Sequence, residues 1–96
     1  SLSTWTPTIA PSGMEYYQTD LIPHWKNSLL LAVLKNSVLV QLPLTGNQDQ
    51  VGQPKEFFKD EYGRLRDVCI GPDGQVYVST DNGNDRILVI GRPISP

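Results

Sequence analysis

Two pairs of short apolar runs recur along this chain at nearly one interval. LLLAV begins at Leu29 and QVYVS at Gln75, 46 residues on; VLVQL begins at Val38 and RILVI at Arg86, 48 residues on. A period near 40–50 residues carrying up to four strands is the pattern of propeller blades, in which each unit buries its apolar face against the next. A Pro-containing turn with Gly precedes each pair, Pro11-Ser12-Gly13 before the first and Pro72-Asp73-Gly74 before the second. In the second turn Pro presets φ and Gly supplies the positive φ that other residues avoid.

The rest of the pattern is β as well. SLLLAVL (28–34) and SVLVQLPL (37–44) flank a two-residue polar break, Lys35-Asn36, and read as a hairpin. LTGNQDQVG is a turn-rich link into a third run that ends in EFFKD (56–60). RDVCIG (66–71) and QVYVST (75–80) alternate, DNGND (81–85) is another hairpin turn, and RILVIG (86–91) closes the series. No stretch keeps helix periodicity over ten residues, and Pro7, Pro11, Pro23, Pro43, Pro54, Pro72 and Pro93 interrupt most attempts. The expectation is an all-β chain of roughly two blades of a propeller. Residues 1–60 form one nearly complete blade with its leading connector, and 61–96 most of a second. Two blades leave sheet edges and one inner face open, so the missing blades of a larger protein, or other copies of the chain, are the expected partners.

Composition removes several function classes. A chain of 96 residues is at most one domain, and its net charge of −2 argues against a nucleic-acid platform or a polybasic membrane patch. No apolar run is long enough to cross a bilayer as a helix. No basic segment followed by an apolar core opens the chain, so no signal peptide is expected within it, and the chain reads as a processed or excised piece. The single cysteine excludes an internal disulfide and a cysteine-rich metal cluster; its place in an apolar strand makes Cys69 a small buried hydrophobe rather than a nucleophile.

The candidate chemistry is cationic. In Gly63-Arg64-Leu65-Arg66-Asp67 the two arginines, two apart on a strand, share a face, with Leu65 on the other. Two permanently charged guanidinium forks on one face invite a carboxylate or phosphate. The alternative is an exposed strand whose Arg66 pairs with Asp67 or Glu61. Lys35 is either a solvated turn residue or a cation at the mouth of a propeller channel, where the loops of one end gather. WTPTIAPSG (5–13) is a stiff connector in which Trp5 fills an apolar hole, or one whose Trp5 and Thr8 meet a flat ligand. His24, beside Trp25, is a surface or packing residue. Asp81, Asn82, Asn84 and Asp85 look like calcium ligands but lack the Gly and terminal Glu of an EF-hand, and turn chemistry explains them equally well. No Walker loop, GxSxG or HExxH is present.

The order WTPTIAPSGM, Pro23-His24-Trp25, SLLLAVLK, GRLRDVCIGPDGQVYVSTD and RIL resembles the C-terminal part of the glucose/sorbosone dehydrogenase family, over about Trp5 to Ile90. The resemblance implies a six-bladed β-propeller that uses pyrroloquinoline quinone (PQQ) to oxidise an aldose to its lactone, in the periplasm or outside the cell. It implies that Thr8, Lys35, Arg64 and Arg66 contact PQQ, a flat tricarboxylate for which forked and point cations are suitable partners. It also implies that the catalytic histidine, the calcium ligands and a further cofactor-binding arginine lie in other blades. This segment alone is then catalytically silent, and His24 is not the base. Hedgehog-interacting proteins of the same superfamily supply the alternative, a propeller that binds without catalysis.

Overall fold

The computed structural model describes residues 11–35, 37–47, 50–81, 83 and 85–91. It is built of strands, in two antiparallel sheets. The first sheet begins with β1 (Gly13–Tyr17), which pairs with β2 (Ser28–Val33); β2 pairs with β3 (Val38–Thr45). The far edge of β3 is shared by two short strands. β4 (Gln50–Val51) meets Leu44 and Thr45, and β5 (Lys55–Phe57) meets Leu39 to Gln41. The second sheet is β6 (Leu65–Ile70), β7 (Val76–Thr80) and β8 (Ile87–Ile90), in that order. Both repeated hairpins therefore fold as the sequence predicts. β1 and β4 add strands where the sequence shows only connector and turn.

Alternation decides what each sheet buries, because successive strand residues face opposite ways. Leu30, Ala32 and Leu39 point to one side of the first sheet and, with Tyr17 and Trp25, meet Leu65, Val68, Val76 and Val78 of the second. This shared core binds the two sheets to each other. Leu31, Val33, Val38, Val40 and Leu42 point the other way and form a second buried cluster. At β2 and β3 the first sheet is thus buried on both faces. The second sheet has the open face: Ile87 is 69% exposed and Val89 40%.

The link from β1 to β2 is held by a short 3-10 turn at Pro23–Trp25, which Pro begins because it has no N–H to lose. The turn delivers Trp25 into the shared core, edge-on to Tyr17 (6.4 Å, 85°) and against Phe57 at 5.2 Å. Buried Gln41 fixes the turn in place, its Nε2 donating to the His24 carbonyl at 2.8 Å and to Ser28 Oγ at 3.0 Å. On the other side of the core, the Tyr17 hydroxyl donates to the carbonyl of Gly74 in the β6–β7 turn and accepts the Ile22 N–H at 3.2 Å. Gly74 stands at φ +91°, as the Pro-Asp-Gly signature requires.

One irregularity changes the second sheet. Leu65 pairs with Thr80 and Asp67 with Ser79, so Arg66 is an extra residue, a β-bulge. Beyond it the faces exchange: Leu65 and Val68 are both buried, and Asp67 and Cys69 turn outward. Simple alternation would put Cys69 on the Leu65 side. The expectation of a buried Cys69 is therefore corrected, since its thiol lies on the exposed face.

Candidate anion-binding site

Four chain segments gather at one end of the two sheets. Ser12, just before β1, donates its N–H and its hydroxyl to the Ala32 carbonyl (2.7 and 3.0 Å) and shares the hydroxyl with the Leu65 carbonyl at 3.1 Å. A single serine thereby ties the end of β2 to the start of β6. Lys35 lies three residues past Ala32 and Arg64 one residue before Leu65, so both belong to this end. The Asp60 N–H donates to the Ser37 carbonyl at 3.1 Å, and the Asp81 N–H to the Arg64 carbonyl at 2.8 Å, which brings the loops after β5 and β7 to the same rim. Beside Ser12, β1 and β6 approach so closely that a Cβ on Gly13 would lie 3.0 Å from the Asp67 Cα and the Val68 nitrogen.

Lys35, Arg64 and Arg66 are exposed at this rim, and Thr8 and Trp5 lie outside the described residues. Arg64 is anchored at one side: its Nε donates to the Asp81 carbonyl at 3.3 Å and its Nη2 stands 3.7 Å from Asp81 Oδ2. That pair is largely solvated, with the arginine side chain 57% exposed, so it orients Arg64 more than it stabilises the fold. The expected pairing of Arg66 with Asp67 or Glu61 does not form. Asp67 Oδ1 instead accepts the Val68 N–H at 2.9 Å, and among the described residues Arg66 forms no ion pair. The bulge sends Arg66 into an open groove of about 420 Å³ lined also by Ser79, Thr80, Asp85, Arg86 and Ile87.

Arg86 is the residue that sequence reasoning missed. Its backbone completes the β7–β8 hairpin: the Thr80 hydroxyl accepts its N–H at 2.8 Å, and its carbonyl accepts the Thr80 N–H at 2.9 Å. The available signal was a cation opening the third strand of a unit, directly across the hairpin from Thr80. His24 is exposed and enters only through its carbonyl, as a surface residue should. Asp81 and Asp85 serve as an arginine partner and a groove wall, and among the described residues no cluster of three or more metal-ligating side chains occurs.

A repeat of antiparallel sheets packed face to face, with cations collected at one rim, defines the class: adjoining blades of a partial β-propeller with a cationic end. The glucose/sorbosone dehydrogenase family model matches residues 1–89, and the chain belongs to that family. It is 34% identical over 86 residues to the aldose sugar dehydrogenase YliI of Escherichia coli, covering 90% of this chain and 23% of that protein. It is 33% identical over 82 residues to quinoprotein glucose dehydrogenase B of Acinetobacter calcoaceticus, covering 82% of this chain and 17% of that one. A solved structure of a glucose dehydrogenase superposes with a TM-score of 0.75 at 33% identity, over 84% of this chain and 25% of that one. The chain spans less than a quarter of the length of these two curated relatives.

Proposed function

We propose that this chain is part of a PQQ-dependent aldose dehydrogenase that works outside the cytoplasm, and that Thr8, Lys35, Arg64 and Arg66 hold the cofactor through its carboxylates. The observation that carries the reading is the Ser12 bridge, which puts the β2–β3 loop bearing Lys35 and the entry of β6 bearing Arg64 and Arg66 at one rim. The donor set fits the group. A flat tricarboxylate needs several cations around its edge, and the rim offers one point charge from the β2–β3 loop and two forks from the entry of β6. When bound, PQQ supplies the hydride acceptor. The residues of this chain bind and orient it. Asp81 holds one side of Arg64, leaving the remaining guanidinium N–H groups for a ligand.

Residues of other blades would take the proton from the sugar hydroxyl and hold the calcium. The test uses the full-length parent with PQQ and calcium, following dye reduction by glucose and other aldoses, and PQQ binding by its absorbance. Arg64→Ala is expected to weaken PQQ binding about tenfold or more, the loss of one charge-assisted contact. Unchanged affinity in both Arg64→Ala and Arg66→Ala removes the rim from the cofactor site. Absence of turnover with any aldose in a parent that binds PQQ turns the reading toward a non-catalytic binding propeller.

A further inference from the structure

The groove next to Arg66 contains more cationic capacity than the reading above uses. We propose that Arg86 is a further carboxylate-binding residue of this protein, sharing with Arg66 the groove at the rim of the second sheet. The inference rests on the PQQ reading, of which it names an additional contact.

Three observations support it. First, Arg66 and Arg86 line one groove although they come from β6 and from the residue just before β8, on the two outer strands of the sheet; the end of β7, Ser79 and Thr80, forms the floor between them. Second, the bulge frees Arg66 from the ladder at the groove. Arg66 is the extra residue, with no partner across the ladder, and it lines the groove beside Ser79 and Thr80, while Asp67 takes the ladder position opposite Ser79. Third, the backbone of Arg86 is pinned at both its N–H and its carbonyl by Thr80, so the side chain leaves from a fixed point. Two like charges facing one opening repel each other until an anion stands between them, and Asp85, which lines the same wall, offsets only one of them. Guanidinium forks with neighbouring hydroxyls suit a carboxylate better than a point charge does.

Arg86→Gln and Arg86→Lys in the full-length parent, beside Arg64→Ala as the reference, test the proposal through PQQ affinity measured by absorbance titration without sugar. Arg86 is exposed, so the melting temperature of the apo protein is expected to stay that of the wild type in both variants. Arg86→Gln is expected to raise the PQQ dissociation constant about fivefold to tenfold, below the loss from Arg64→Ala because the groove is open to solvent; Arg86→Lys keeps the charge and is expected to recover most of the loss. The effect shrinks with added salt, as an exposed charge contact must. If Arg86→Gln binds PQQ within twofold of wild type while Arg64→Ala is weakened, the proposal is overturned and the cofactor reading stands. If neither variant weakens binding, both fall.

Discussion

Removing one oxygen from Tyr17 should test whether the two sheets are joined mainly by apolar packing or also by a specific polar tie. The ring is fully buried and packs edge-on against Trp25, so Tyr17→Phe keeps the apolar contacts. The hydroxyl alone is lost. It donates to the carbonyl of Gly74, a buried residue of the other sheet's turn, and accepts the N–H of half-buried Ile22. A buried group left without its partner costs roughly 1–3 kcal/mol. Ile22 can recover water, so the Gly74 carbonyl dominates and the total is about 2–3 kcal/mol. For a chain of this size, total stability is on the order of 5–14 kcal/mol, and each kcal/mol moves the melting temperature by about 4–8 °C. A fall of about 10–20 °C is therefore expected, with the urea midpoint reduced and its slope unchanged. Tyr16→Phe is the control. Its hydroxyl donates to Asn27 Oδ1 at 2.6 Å on the first sheet, at a site open enough for water to replace it, and should cost about 1 kcal/mol or less. If Tyr17→Phe costs no more than Tyr16→Phe, the tie to Gly74 does not contribute and the shared apolar core alone joins the sheets.

Two more perturbations address the same framework. Gly74→Ala puts a Cβ at φ +91°, 2.4 Å from Thr19 Oγ1 and 3.0 Å from the Leu21 side chain, so a loss of about 2–4 kcal/mol is expected in urea unfolding; a change under about 0.5 kcal/mol would mean that the turn relaxes. Lys26 is held above its ordinary value of 10.5 by a hydrogen bond from its ammonium to Asp20 at 2.7 Å and by that carboxylate's charge. A raised folded value means that the pair's small contribution is present below about pH 10 and lost as pH rises through the raised value. The midpoint gap between wild type and Asp20→Asn should be flat from neutral pH to about pH 10 and then close. A gap that widens at high pH has the wrong sign.

The hairpins were legible because their alternation is long and bounded by turn chemistry. β2 with β3 and β7 with β8 follow the apolar pattern, and the Pro72-Asp73-Gly74 turn behaves as its residues require. β1 was not legible. Its Met14 and Glu15 are exposed, and it becomes a strand only because β2 offers an edge on which every residue from Gly13 to Tyr17 finds a partner. The two-residue hairpin break at Lys35-Asn36 is also too short in the sequence reading: β2 ends at Val33 and β3 begins at Val38, with Ser37 at φ +52° helping the turn. At the rim, the cations could be counted from the sequence, but their partners could not. Arg64 pairs with Asp81, seventeen residues away across the β6–β7 hairpin, and no local spacing announces such a pair.

The bulge at Arg66 connects the packing to the chemistry of the rim. In a regular strand, Leu65 and Val68 face opposite sides and one of them must leave the core. One extra residue lets both be buried: Leu65 opposite Thr80, and Val68 opposite Val78. The same insertion releases Arg66 from the ladder at the groove and aligns Asp67, Cys69 and Tyr77 with Ile87 and Val89 on the open face. Burying Val68 contributes about 1.5–3 kcal/mol, enough to hold a bulge that an isolated strand would resist. The position of the free guanidinium is therefore set by the apolar residues on either side of it. Deleting Arg66 would restore regular pairing with Leu65 and Val68 two positions apart and both still facing the core, so the deletion, like Arg66→Ala, should spare the core and remove only the guanidinium from the rim.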